Sequence, residues 1–183
     1  MAKLNYRALA IGLLVIVPFV SGCKIVEDGT VGISKQFGHI SDRPLEPGLY
    51  LDIPVIRVVE VWNTKIIRIP IPVSVPSVDG MTVSLESTVM MRPTDVVKLR
   101  KEIGINYQQQ KVIPVVNDAI RESIGKRRLD DIIQNQDKLN AEVLSNLQSR
   151  FQNSGIAIEN HFITGLQLPQ QFQDAVARKL EQE

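Results

Sequence analysis

Along Met81-Thr82-Val83-Ser84-Leu85-Glu86-Ser87-Thr88-Val89-Met90-Met91, apolar and polar residues alternate. Met81, Val83, Leu85, Val89 and Met91 share one parity, while Thr82, Ser84, Glu86 and Thr88 share the other. Successive strand side chains point to opposite faces, so the pattern predicts a strand with one buried and one wet face. Asp79-Gly80, just before it, is turn chemistry. Upstream the chain reads as short strands: Thr30 to Phe37 bracketed by Gly29 and Gly38, then Leu49 to Ile53, Val58 to Asn63 and Lys65 to Ile69. Arg43-Pro44-Leu45-Glu46-Pro47-Gly48 is a turn region. Pro54, Pro70, Pro72 and Pro76 confine their segments to edges, strand starts or bends, because proline donates no ladder hydrogen bond.

Downstream the period changes from two to that of a helix. Thr94 is a candidate N-cap for a short helix that Gly104 ends. Val112, Val116, Ala119, Ile120 and Ile124 make the stripe of a second helix, about Gln109 to Gly125, with Pro114 tolerable only near its first turn. Leu129 to Ile133 is a brief helical turn. Leu139, Val143, Leu147 and Phe151, with Leu144 beside them, mark a third helix from about Gln136 to Asn153. A second alternating strand follows, with Ile156, Ile158, Phe162, Leu166 and Leu168 on one face, and Pro169 opens a last helix through Phe172, Val176 and Leu180. Strands, then helices, then a strand and a helix form an α+β plan. The expected division is a leader over 1–22, a β-rich subdomain over 23–91, an α+β subdomain over 92–168, and the start of a C-terminal helix over 169–183.

The 183 residues carry a formal charge of +1, with 44% hydrophobic and 22% charged residues, an ordinary globular composition. No clustered basic excess suggests nucleic acid as a partner. Lys126-Arg127-Arg128 is followed at once by Asp130 and Asp131, which reads as a locally balanced surface, with acidic lipid headgroups as the other reading. His39 and His161 stand apart, without a carboxylate pattern, and read as surface or strand residues. No Cys/His spacing suggests zinc or another metal, no motif implies a cofactor, and no nucleophile–base constellation or phosphate-cradling loop suggests an enzyme.

The N-terminus is the most specific local signal. Lys3 and Arg7 precede an apolar run from Ala8 to Val20, and Ser21-Gly22-Cys23 follow. A helix counted to Cys23 spans about 24 Å, short of the ~30 Å hydrocarbon core. A basic flank, a short apolar region and small residues before a cleavage point describe a secretory signal. Val20-Ser21-Gly22-Cys23 resembles a bacterial lipobox, with Val in place of the favoured Leu. That resemblance implies cleavage before Cys23 and attachment of acyl chains, palmitate among them, to it. An uncleaved signal anchor is the other reading, and both place the globular part on the extracytoplasmic side, inner or outer membrane left open.

Beyond the anchor, the ordered fragments Glu27-Asp28-Gly29-Thr30-Val31-Gly32, Gln36-Phe37-Gly38, Leu45-Glu46-Pro47-Gly48-Leu49-Tyr50 and Ile53-Pro54 resemble the SPFH (band 7, prohibitin/stomatin-like) family. Asp79-Gly80-Met81-Thr82-Val83, Ala119-Ile120-Arg121-Glu122-Ser123-Ile124-Gly125, Gly155-Ile156 and Leu166-Gln167-Leu168-Pro169 continue the same order. The resemblance implies an α+β SPFH domain acting as a non-enzymatic membrane scaffold. Its implied partners are membrane lipids, other copies or related chains in a homo- or hetero-oligomer, and membrane proteins such as proteases. It also implies a first subdomain lying against the bilayer, with Pro54-Val55-Ile56 as the candidate membrane-contact loop. The alternative is an envelope lipoprotein that acts as a monomeric or small-oligomer binding or inhibitory module. The family generally continues into a long coiled coil, and about two heptads of the last helix lie within this chain.

Overall fold

A computed structural model describes residues 22–53 and 56–167. Its contacts divide into two compact units, Met1–Lys65 and Ile66–Glu183. The division falls at Lys65/Ile66, and the strand ending at Pro93 is central to the second unit's sheet.

Among its described residues the first unit holds five short strands: β1 Cys23–Val26, β2 Thr30–Gln36, β3 His39–Ile40, β4 Gly48–Leu51 and β5 Arg57–Asn63. β1 pairs with β4, and β2 lies between β3 and β5, all antiparallel. The turn region delivers Leu45 onto β2, where Gly32 and Leu45 exchange N–H···O bonds of 3.1 and 2.7 Å. A Cβ on Gly32 would stand 3.0 Å from both Leu45 Cβ and Val26 Cγ2, so only glycine lets strand and loop approach this closely. Val26, Ile33, Val59 and Trp62 form the buried apolar set.

The second unit is a sheet with helices on one face. β6 Ile67–Pro76 and β8 Ile156–Gln167 flank β7 Thr82–Pro93 in the antiparallel order β6-β7-β8. β6 begins two residues later than expected and runs through Pro70, Pro72 and Pro76. The Ser77 N–H donates to the Met81 carbonyl at 2.9 Å, so odd positions of β6 bond toward β7 and even ones face the free edge. All three prolines are therefore where no donor is needed, and they leave the edge a poor template for another strand.

Val83, Leu85, Val89 and Met91 are buried on β7, with Met81 half-buried, as the alternation predicts. α1 Val96–Glu102 is capped by Asp95, whose carboxylate accepts the Lys98 N–H at 2.9 Å; Thr94 instead gives its own N–H to the Gly155 carbonyl. Gly104 ends α1 as expected, at φ +102°, with its N–H on the Leu99 carbonyl. A π-helical turn, Gln108–Val112, leads into α2 Ile113–Gly125. Pro114 explains the wide turn: its ring would meet the Gln110 carbonyl in a regular helix, and the Ile113 N–H bonds back to Gln108 instead. The whole predicted stripe of α2 is buried, as are Leu139, Val143, Leu147 and Phe151 of α4 Gln136–Phe151. α2 packs on β6 and α4 on β8. Between them, α3 Leu129–Gln134 starts on Asp79, whose carboxylate accepts the Leu129 N–H at 3.2 Å.

β8 departs from the predicted alternation. Its register against β7 slips at Met90/Met91 and at Leu85/Glu86, which leaves Glu159 and Gly165 as bulges. Ile156 and Ile158 are buried as expected, but the first bulge flips the parity. Phe162 turns outward (41% exposed), and His161, read as a surface or strand residue, is a strand residue turned inward (2%). Leu168, Pro169 and the last helix lie outside the described residues. Buried His161 shares a 2.9 Å hydrogen bond with Ser87 Oγ through Nε2, while Nδ1 has no partner. Burial lowers its pKa from 6.5 to about 4, so the neutral ring belongs to the folded state. The unfolded chain then binds the extra proton between these values, and stability is lost as pH falls from about 6.5 to 4. The expected loss is on the order of 2–3 kcal/mol. Urea unfolding at pH 7, 5.5 and 4.5 checks this, and a His161→Phe, Ser87→Ala chain should show a shallower slope over that window.

Candidate functional site

Cys23 opens β1, exposed and without a disulfide partner, so the strand begins at the last residue of Val20-Ser21-Gly22-Cys23. Gly22 accepts the Asp52 N–H at 3.1 Å, while Val20 and Ser21 lie outside the described residues. The register pairs Cys23 with Leu51, Lys24 with Tyr50, Ile25 with Leu49 and Val26 with Gly48. Cross-strand partners share a face and neighbours alternate, so Cys23, Ile25, Leu49 and Leu51 lie on one side of this ribbon. Val26 is buried on the other side, and Tyr50 is half-buried there with its hydroxyl donating to the Glu46 carbonyl at 2.8 Å. The first side faces outward: Ile25 is 65% exposed, Leu49 67% and Leu51 60%.

The chain leaves β4 directly into the candidate membrane-contact loop. Ile53 and Arg57 exchange two backbone hydrogen bonds of 2.8 Å around it, and Ile56 is exposed; Pro54 and Val55 lie outside the described residues. The Ile56 carbonyl accepts the Phe37 N–H at 3.2 Å, which brings the β2–β3 hairpin tip to the same end of the unit. That tip is Phe37-Gly38, at φ +47° and +87°, the left-handed pair that two-residue hairpins use. A bulky aromatic there is costly, and its ring is 72% exposed. The β1–β4 ribbon thus sets Ile25, Leu49 and Leu51 on the face of Cys23, and Ile56 and Phe37 are exposed where the β2–β3 tip bonds to Ile56. Of these described residues the sequence had singled out only Cys23 and Ile56. Leu49-Tyr50-Leu51 has no polar–apolar alternation, so its wet face left no mark in the sequence.

The basic triplet makes no free cationic patch. Lys126 Nζ meets Glu122 at 2.8 Å, Arg127 reaches Asp131 at 2.9 Å and Glu142 at 2.6 Å, and Arg128 stands 3.4 Å from Asp79. The Glu142 and Asp131 carboxylates hold the Arg127 pKa above its ordinary value. Glu122 also takes Arg150 at 2.7 Å, and its carboxyl is lowered, first by Lys126. Among the described residues no group of three or more His, Cys, Asp or Glu could hold a metal ion. A shallow hollow of about 590 Å³ on the outer face of the second sheet, beside Pro70, Pro72, Ser74 and Ser84, has Glu86 as its one titratable lining residue. Ser87 and His161 make a hydroxyl–imidazole pair, but both are sealed in the core, which is a packing arrangement and not a nucleophile facing a substrate.

The fold and this end of it define an α+β domain with an apolar, membrane-compatible end. The SPFH domain / Band 7 family model matches residues 24–183, and the chain belongs to that family. It is 26% identical to a stomatin homolog of Pyrococcus horikoshii over 98% of this chain and 67% of that protein. It is 24% identical to Protein HflC of Treponema pallidum over 70% of this chain and 38% of that protein. Against human mitochondrial stomatin-like protein 2 the identity is 26%, over 77% of this chain and 40% of that one. The chain thus matches less than half the length of two of these relatives. Among the described residues no helix is long and apolar enough to cross a membrane.

Because the triplet is neutralised internally, Arg127→Leu should cost stability without changing binding to anionic vesicles. About 1 kcal/mol is expected for such a partly exposed pair of ion pairs. Thermal unfolding and vesicle co-sedimentation of the same variant separate the two effects.

Proposed function

We propose that this chain is a membrane-anchored, prohibitin-like scaffold that does no chemistry of its own. It self-assembles at a membrane and organises lipids or regulates membrane proteins such as proteases. The carrying observation is the set of exposed apolar side chains, Ile25, Leu49 and Leu51, on the face of Cys23. Family membership and relatives named as stomatins and HflC support the scaffold half of the reading. In this reading 1–22 is a leader removed before Cys23, and acyl chains on Cys23 hold the domain on the extracytoplasmic side. Two or three chains, at about 0.8 kcal/mol per buried CH₂, give stable anchoring where one chain does not.

Intact mass of the membrane-extracted protein tests the anchor: the expected species starts at Cys23 and carries diacylglycerol and an N-acyl chain. Cys23→Ser should abolish both the cleavage and the lipid, and an unlipidated species that retains Met1 would overturn this part. Sizing the lipidated protein in mild detergent tests assembly. A scaffold gives a large multimer, whereas a uniform monomer would favour a lone binding or inhibitory module.

A further inference from the structure

We propose that the outer face of the second sheet, opposite the helices, is the docking surface for residues 168–183 of the same chain, which lie back along it as an amphipathic helix. Among the described residues this face is uncovered, since α2 and α4 pack on the dry side of β6 and β8. On β7 it carries Ser84, Glu86, Thr88 and Met90 in successive rows. The register flanks Glu86 with Pro72 of β6, and Thr88 with Pro70 of β6 and Phe162 of β8. A wet antiparallel face is ordinarily polar. Here both prolines and Phe162 are exposed and Met90 is half-buried, so the last three rows carry an apolar patch.

Three observations name the occupant. The first is where the chain leaves the sheet. β8 ends at Gln167, which lines the hollow of about 590 Å³ together with Pro72, Ser84 and Glu86, and Gly165 at the second bulge puts no side chain into it. Residues 168–183 therefore start at the rim of this face. The second is length and spacing. With Pro169 setting its first turn, a helix over Gln170–Glu183 is about 21 Å long, and the rows from Ser84 to Met90 span about 20 Å. Phe172, Val176 and Leu180 recur about 6 Å apart along a helix, close to the ~7 Å between rows. Laid antiparallel to β8, the helix puts Phe172 over the row of Glu86, Val176 over that of Thr88 and Leu180 over that of Met90, with Asp174 and Arg178 turned to solvent. The third is charge. Glu181 and Glu183 come to the end of the face where Arg68, the partner of Met90, and Arg92 are exposed. Glu86 sits at the other end, beside the helix N-terminus, where a carboxylate is favourable.

Docked in this way, the stripe is used within one chain and withheld from the same stripe of another copy. Disulfide trapping in the full chain tests this. Thr88→Cys with Val176→Cys joins the middle of the face to the middle of the stripe, whereas Thr88→Cys with Asp174→Cys puts the second thiol on the opposite side of the helix. Thr88 lies on the outer face, so its substitution leaves the core untouched. Copper–phenanthroline is the oxidant, and peptide mass mapping identifies which cysteines are joined, Cys23 included. The 88–176 bond should form within one chain, severalfold faster than the 88–174 bond. Equal rates for the two pairs, or neither bond, would overturn the docking. So would 88–176 bonds that form only between tagged and untagged copies, since another copy's segment would then be the occupant. Hydrogen exchange gives a readout without added thiols: Phe162→Ser should speed exchange of the 170–183 amides severalfold and leave those of α2 and α4 unchanged. Unaltered exchange over 170–183 would count equally against the docked segment.

Discussion

The second unit depends on β7 having one dry face and partners on both edges. A central strand cannot slip by one residue without turning Val83, Leu85, Val89 and Met91 into water, so its register is fixed by burial. Everything around it adapts to that constraint. β6 places its prolines at positions whose amides face away from β7, which costs the ladder nothing. The helices contribute continuous apolar stripes to the dry face. β8 meets the same demand differently, through two bulges, the second at Gly165 with φ +67°. The first bulge carries a histidine into the core, where Ser87 is the only polar group on the dry face of β7 able to receive it. Gly155 closes the corner: its carbonyl receives the N–H groups of Thr94 and Asp95, and a Cβ there would stand 2.8 Å from the Asp95 carbonyl.

Strict periodicity made most of this unit legible. The β7 alternation and the helical stripes of α2 and α4 stand in the structure nearly residue for residue, since each stripe meets one large buried surface. What periodicity could not reveal was any place where the chain inserts a residue. A bulge shifts every later side chain to the other face, so Phe162 leaves the face on which the alternation put it and His161 takes that face. The extent of β6 was hidden for the opposite reason, as prolines that signal interruption in a central strand are harmless on a free edge. At the candidate site, the sequence singled out Cys23 through its motif and Ile56 through the family resemblance. Ile25, Leu49, Leu51 and Phe37 were invisible because an exposed apolar strand residue looks the same as a buried one until its partner strand is known.

The first unit reverses the economy of the second. Among its described residues four apolar side chains are buried, Val26, Ile33, Val59 and Trp62, while seven large ones are exposed: Ile25, Phe37, Leu49, Leu51, Ile56, Val58 and Val61. A unit of this size buries only a modest share of its surface in any case, and here it leaves more large apolar groups outside than in. Two of its features cost free energy without aiding the core, the left-handed Phe37 and the uncovered ribbon leucines. The exposed Phe37 ring and the leucines, though not the backbone strain, become favourable when the adjoining medium is hydrocarbon in place of water. That is a physical reason, independent of family membership, to put this end of the unit against a membrane.

The proposed anchor at Cys23, without a spacer, would change what assembly costs. A domain on a flexible tether keeps its rotational freedom and must surrender it on meeting a neighbour, which is a large part of the price of association. Under the proposed anchoring, a ribbon held to the bilayer at its first residue, Cys23, would already have given up tilt and height. What remains is motion within the plane and rotation about the membrane normal, so lateral contacts need to be worth less to hold copies together. Lys126, Arg127 and Arg128 are paired internally and offer no free cationic patch of their own to a lipid surface. Orientation would then come from hydrophobic contact, which salt does not screen, and it would be set before any neighbour arrives.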